Sequence, residues 1–346
     1  MPTPVIPILA PGTVVMRDLL PGLIQTRAVG MDQFSATKVF APFATDKEFF
    51  VGATGSTTFA MRRVPSGRVV GAEPNRVLGD VGSTTTIDLV EGSVVSDLDK
   101  SQDPLIRNGM PDDAEQQKVL EAVGALATDL EVTAADASFN PSNFTGATRA
   151  LTNGFINGAV DPVLEIGAEI GVLEDTGVDR SQLSLVMHPR VLRNIGTNTL
   201  FLSKYFGATT IKVVPPSQVA AVLVSTLGVR DVRIVRGVSS SSPRDTAALT
   251  LTQTWSIDRV LVTIINDDPR DITSPQFGKM VYKNNVVEGQ GVGAGAQLGA
   301  LAAAIQAVIY ADNPLIRSYL AVCKYAFYRH PSYLNISRLL TGVSNA

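Results

Sequence analysis

Gly289, Gly291 and Ala294, in the run Gly289-Gln290-Gly291-Val292-Gly293-Ala294-Gly295, meet the loose spacing of a dinucleotide-binding turn, with strand-like Val281-Tyr282 before them and an Ala-rich run after them. Glycines so placed would let a pyrophosphate approach the backbone at a helix start. No second strand of a βαβ unit follows, and the turn falls in the last sixth of the chain. A flexible Gly/Ala hinge is the simpler reading. The same run is weakly apolar over about eighteen residues, the length of a short membrane span, but Gln297, Gln306 and the glycines make it poor material for one.

Other reactive residue types are sparse. The two histidines, His188 and His330, have no second ligand at metal spacing. His188 stands before Pro189 at a strand end, where capping or packing competes with proton transfer. Cys323 is the one cysteine, which excludes a disulfide framework and a Cys-pair zinc site. With Tyr319, Phe327 and Tyr328 it falls on an aromatic stripe read as helical, and so as a core thiol. The turn Asn266-Asp267-Asp268-Pro269-Arg270-Asp271 offers oxygen to a hard cation but lacks calcium-loop spacing, and is read as solvated. No serine occupies a Gly-x-Ser-x-Gly elbow. Catalytic, cofactor and metal sites are therefore all expected to be absent. What remains is a charge constellation: Arg62, Arg63, Arg68 and Arg76, whose planar forks suit carboxylates, and the acids Asp112, Asp113 and Glu115.

The elements that would carry these residues sit in a chain of 346 residues with 45% hydrophobic and 18% charged residues, 29 Gly and 20 Pro. Such a chain is globular, with two lobes or one lobe and long extensions. A surface poor in charge tends to associate. A net charge of −3 and a pI near 5.5 argue against a dedicated nucleic-acid binder. The start, Met1 to Pro7, shows no basic region followed by an apolar core, so an origin in the cytoplasm is expected.

Pro2, Pro4, Pro7, Pro11 and Pro21 favour an extended arm. Residues 52–95 alternate in short strand-like pieces broken by glycines, with Thr57–Met61 and Thr84–Val90 expected to pair as a long hairpin. It holds too few large apolar residues for its own core, so it leans on a neighbour or stands as an ordinary solvated hairpin. Pro111 with Asp112, Asp113 and Glu115 behind it predicts a helix start. Val119, Leu120, Val123, Leu126, Ala127 and Leu130 continue that helix to about Asp136. Helices are expected at Asp161-Pro162 to Glu174, stopped by Gly177, at Pro189 to Ile195, and from a Ser217 cap to about Thr226. Strands are expected at Ser184–Met187, Val229–Val235, Leu249–Thr254 and Val260–Ile265. Ser239 to Asp245 is a polar loop, and the tail after Gly295 reads as two helical runs, to Tyr310 and through Tyr328. Alternating helices and strands indicate a mixed α/β lobe within an α+β chain.

The run Leu185-Val186-Met187-His188-Pro189-Arg190-Val191-Leu192, then Gly228-Val229-Arg230-Asp231-Val232-Arg233-Ile234-Val235, then a strand Trp255–Val262 and the return Thr273–Gly278, resembles in its order the HK97-fold major capsid proteins of tailed bacteriophages. The likeness covers about residues 35–285. It implies an N-arm at 1–45, an extended E-loop hairpin at 46–95, a peripheral domain with a long spine helix at 96–149 and 271–300, and an α/β axial domain at 150–270. Residues 301–346 then form a C-terminal extension. The implied function is self-assembly, through pentamers and hexamers, into an icosahedral head around double-stranded DNA held without sequence specificity. No membrane is involved, and assembly takes place in the host bacterial cytoplasm. A separate scaffolding protein or prior processing, a portal and a decoration protein would be the partners. Arg62, Arg63, Arg68 and Arg76 would meet Asp112, Asp113 and Glu115 of a neighbour. No lysine lies between Lys47 and Lys100, so the covalent hairpin linkage of some relatives is not expected. The alternatives are an encapsulin-like compartment shell and, more distantly, a dinucleotide-binding enzyme.

Overall fold

Proline at a first turn, an Asx or His cap or a left-handed glycine, singly or together, delimits most helices of the computed structural model, which describes residues 35–51, 86–207, 213–240, 251–272, 274–283, 306–312 and 314–344. The first 34 residues, the arginine-bearing residues 52–85, most of the Ser239–Asp245 loop and the Gly289–Gly295 turn lie outside the described residues. In chain order the elements are α1 (Ala36–Val39), β1 (Ala41–Thr45), β2 (Phe49–Val51), β3 (Thr86–Asp88), β4 (Val90–Asp99), α2 (Pro104–Arg107), α3 (Pro111–Phe139), β5 (Thr148–Ala150) and α4 (Pro162–Asp175). There follow β6 (Leu183–Met187), α5 (Pro189–Thr197), α6 (Thr199–Phe206), α7 (Pro216–Leu227), β7 (Asp231–Ile234), β8 (Val238–Ser240) and β9 (Leu251–Gln253). The last are β10 (Arg259–Ile264), β11 (Gly278–Lys283), β12 (Gln306–Asp312), β13 (Ile316–Arg329) and β14 (Arg338–Thr341).

The caps are specific. Asp161 accepts from Val163 N at 2.9 Å ahead of Pro162, and His188 Nδ1 accepts from Arg190 N at 3.1 Å ahead of Pro189. Asn198 closes α5 and opens α6, its Oδ1 accepting from Phe201 N at 2.8 Å. Gly177 at φ +92° and Gly228 at φ +67° follow α4 and α7 in the left-handed region that glycine enters without strain. One start differs from expectation. α7 begins at Pro216 with extended Pro215 at the N-cap, not at Ser217, because the proline ring presets the first helical φ and needs no donor.

The chain divides into two compact units. One comprises Met1–Asp32, Val90–Thr128 and Tyr282–Tyr325, the other Gln33–Leu89, Asp129–Val281 and Ala326–Ala346. In the first, β13 runs antiparallel to β4, Ile316 opposite Asp99 through Tyr325 opposite Val90, and to β12, Gln306 opposite Val322. Val119, Ala122, Val123 and Leu126 give α3 a buried stripe in this unit. Leu126 and Tyr325 both come within 3.1 Å of where a Cβ on Gly92 would stand, so helix and strand meet over a position that glycine keeps open.

Residues 306–328 correct the expectation of two helical runs. Tyr319, Ala321, Cys323 and Tyr325 are buried while Leu320, Val322 and Lys324 are half-exposed, a period of two that belongs to a strand. The aromatic residues that look helical at spacings of four and eight all sit on this strand. Nor is the tail an appendage, since β14 lies inside the sheet of the second unit.

That second sheet has the order β5-β14-β10-β6-β7. β14 is parallel to β5 and antiparallel to β10, which is antiparallel to β6, and β7 is parallel to β6. All five residues of β6 are buried, as a strand covered on both faces must be. Leu185, Met187, Val260, Val262 and Leu340 of the sheet form one core with Ile166 and Ile170 of α4, Leu192 and Ile195 of α5 and Leu223 of α7. Trp255 was expected in a strand. It lies instead in the bend before β10, fully buried, with its ring edge-on to Phe139 at 5.7 Å. β11 lies next to β1, and Phe277 ahead of it accepts from His330 N at 3.1 Å. Phe49 pairs with Asp88 and Val51 with Thr86, so the chain leaves at Val51 and returns at Thr86 at one place.

Candidate assembly surface

Buried ionisable groups come first, because a catalyst would need some of them unspent. Arg233, with 10% of its side chain exposed, donates to both oxygens of Asp267 at 2.8 and 2.7 Å and to Lys38 O at 2.8 Å. Arg230 adds a further bond to Asp267 at 2.9 Å. Those bonds, Arg233 first, hold the Asp267 carboxyl below the ordinary carboxylate range. Lys279 is fully buried and gives its ammonium to Asn266 O at 2.7 Å and Asp268 O at 2.6 Å. The acidic turn read as solvated is thus tied down by the protein's own cations. A cleft of about 400 Å³ beside Arg230, lined also by Ser181, Gln182, Ile264 and Ser274, presents no histidine, cysteine or carboxylate.

The residues that sequence could connect with chemistry have structural work. His188 caps α5, and burial pushes its imidazole below the usual range. His330 Nδ1 lies 2.6 Å from Ser332 Oγ, but both residues are buried, at 0% and 1% exposure, and the contact closes a turn no substrate can reach. Cys323 is buried, and its thiol is pushed up to about 12 by that burial. It is a core thiol, as expected, on a strand and not a helix.

Glu131, in the last third of α3, gave no sign in the sequence. Its carboxylate is 5% exposed and accepts from Ser35 N at 2.9 Å, from Ala36 N at 3.1 Å and from the Trp255 indole N–H. A lone acid on a mostly apolar helix face is the signal that marks it, and only its neighbours 95 residues and more away explain it. Lys279 was missed because its acceptors are backbone carbonyls, which side-chain type does not reveal.

Of the residues expected at subunit contacts, Arg62, Arg63, Arg68 and Arg76 lie outside the described residues. Asp112 and Asp113 are exposed in the first turn of α3, with no hydrogen bond or ion pair among the described residues. Glu115 differs: it pairs with Arg317, which also holds Asp312 at 2.8 Å, and Lys100 holds Asp312 from its other side. Those two cations hold the Asp312 carboxyl at about 2, Arg317 having the larger effect.

Where charge is absent, apolar groups face outward. α7 has no charged residue in its twelve, and Ala221, Ser225 and Thr226 are exposed. On α4 the outer line is Leu164, Ala168 and Val172, Leu164 being 63% exposed. β8 and β9 form a separate two-stranded ribbon with Val238 and Leu251 outward. Two strands alone are marginal in water. These faces offer area and not reactivity.

No family model matches the chain, and no curated protein matches it. Among solved structures, a phage-related protein of Bordetella bronchiseptica RB50 is similar over 94% of this chain and 96% of its own, at 12% identity and TM-score 0.62. A protein of Escherichia coli CFT073 assigned as a prophage capsid protein is similar over 95% and 98%, at 11% identity and TM-score 0.50. An encapsulin of Synechococcus elongatus PCC 7942 is similar over 99% and 92%, at 11% identity and TM-score 0.42. At these identities the likeness is one of fold, and the fold is the mixed helix-and-sheet fold of phage capsid proteins.

Proposed function

We propose that this chain is the major capsid protein of a tailed phage or prophage and that copies of it assemble into an icosahedral head around double-stranded DNA. The observation that carries this reading is the shared fold over nearly the whole of both chains, at a TM-score of 0.62. Continuity matters more than the score, since a likeness confined to the α/β lobe would fit many enzymes. The uncharged outer faces of α4 and α7 support self-association. In this reading residues 1–45 are an arm and 46–95 a hairpin laid on neighbours. The α3 region with 271–300 is the peripheral part, and 150–270, around the β6 sheet, is the axial part. The tail 301–346 takes part in the units through β12, β13 and β14 and is no separate extension. Arms and hairpins that cross between subunits add buried area that one fold cannot supply. Scaffold, portal, decoration protein and packaged DNA are the partners that follow from the reading, with assembly in the bacterial cytoplasm.

Electron microscopy with size-exclusion chromatography, on the protein expressed alone and with its neighbouring genes, tests this. Closed shells are expected, and DNA inside native particles separates a phage head from an encapsulin-like compartment holding protein. A small oligomer that persists with every neighbour present would overturn the proposal.

A further inference from the structure

Ser35 to Val39 lies against β7, an end strand whose one ladder partner among the described residues is β6. Lys38 Nζ donates to Ile234 O at 3.1 Å, Arg233 Nη1 to Lys38 O at 2.8 Å, and Ser35 Oγ exchanges bonds of 3.0 and 2.9 Å with Arg236 O and N. Helix α1 in this strap is four residues long with no side-chain cap of its own. A helix so short does not form unaided. Its leading N–H groups are satisfied by Glu131, whose Oε1 also takes the Trp255 indole N–H. Trp255 in turn adjoins the ribbon, where Thr254 N donates to Gly237 O at 3.0 Å. Phe40, within 5.2 Å of the Phe277 ring and 5.0 Å of the Phe327 ring, pins the strap where it ends.

We propose that Glu131 is a latch which, by accepting from Ser35, Ala36 and Trp255, holds Ser35–Val39 as a strap over the outer edge of β7, so that opening it swings the strap about Phe40 and uncovers that edge while the β6 core stays folded. One buried carboxylate on α3 gathers donors from the strap and from the bend before β10, and so ties all three elements together. An uncovered β7 offers unpaired backbone N–H and C=O groups to another strand. The latch acts within one chain, whatever that chain assembles into.

Glu131→Gln tests it in the full-length chain. The amide keeps one acceptor but turns an NH2 toward three N–H donors. Trp255 is the chain's one tryptophan, so its fluorescence reports the latch directly. Hydrogen exchange at 35–39 and 231–236 should speed by about tenfold or more, with red-shifted Trp255 emission and unchanged protection at Leu183–Met187. Protection lost equally at Leu183–Met187, or unchanged everywhere, overturns the proposal. Should that variant fail to fold, Ser35→Ala removes the bonds to Arg236 and keeps those to Glu131. It should then speed exchange at the Arg236 amide alone, which loses its acceptor, with 231–235 and Trp255 emission as in the parent. Faster exchange across 231–235, or an altered emission, would count against the latch.

Discussion

A Cβ on Gly278 would overlap the Tyr328 carbonyl oxygen and press on Phe40, so the strand can lie where it does only with hydrogen there. Gly171, on the outer side of α4, has nothing within 4 Å of the same atom. Alanine at the two positions should therefore act in opposite directions. Gly278→Ala is expected to cost about 3 kcal/mol through overpacking, whereas Gly171→Ala should gain about 0.5–1 kcal/mol from backbone entropy. Thermal unfolding of both variants beside the parent checks this, and equal shifts would contradict the packing. Burial, the largest effect, raises the pKa of Glu131 above the ordinary 4.5 despite the Trp255 and backbone donors, with Lys38 the charge that opposes the rise.

Between Val51 and Thr86 the chain makes an excursion of residues 52–85 whose two ends are a paired couple. A loop that begins and ends on one pair can be exchanged for a two-residue turn without altering the register. Replacing 52–85 by Asn-Gly should leave far-UV circular dichroism and the unfolding temperature near those of the parent, yet abolish closed shells, because the hairpin is the part assigned to neighbours. Unimpaired shells would remove it from the assembly argument. The elements differ in how far sequence revealed them. α4 and α5 were legible because Asp161-Pro162 and His188-Pro189 are local signals, bonded two residues on. β6 was legible from the apolar run Leu185-Val186-Met187. β13 was not, since Tyr319, Cys323, Phe327 and Tyr328 fit a helical stripe as well as a strand, and only pairing with β4 and β12 decides between them. The same limit applies to function: the order of segments pointed to the fold, while Glu131 and the Glu115–Arg317 pair depend on partners remote in sequence.

For the whole molecule the question is whether copies are held by charge or by apolar area, and salt separates the two. Pairs such as Arg62 or Arg63 with Asp112 or Asp113 of a neighbour would be exposed at their rims, worth about 0–1 kcal/mol each, and screened at about 1 M salt, where the Debye length is roughly 3 Å. Contacts made by Leu164, Val172 and the uncharged face of α7 would not weaken and would gain from a salting-out anion such as sulfate. The exposed apolar side chains Leu164 and Val172 of α4 give apolar contact the larger share in this expectation. Assembled shells should accordingly persist at about 1 M salt. Arg62→Glu with Arg63→Glu should slow assembly at low salt, and less at high salt. Leu164→Glu should prevent assembly at both, since it buries an unpaired carboxylate in every subunit contact. With Leu164 63% exposed in the monomer, Leu164→Glu should change the stability of unassembled protein by no more than about 0.5 kcal/mol. Light scattering against salt for the parent and these variants reads all of this in one series. Shells that dissolve in salt while Leu164→Glu assembles normally would reverse the order of the two forces.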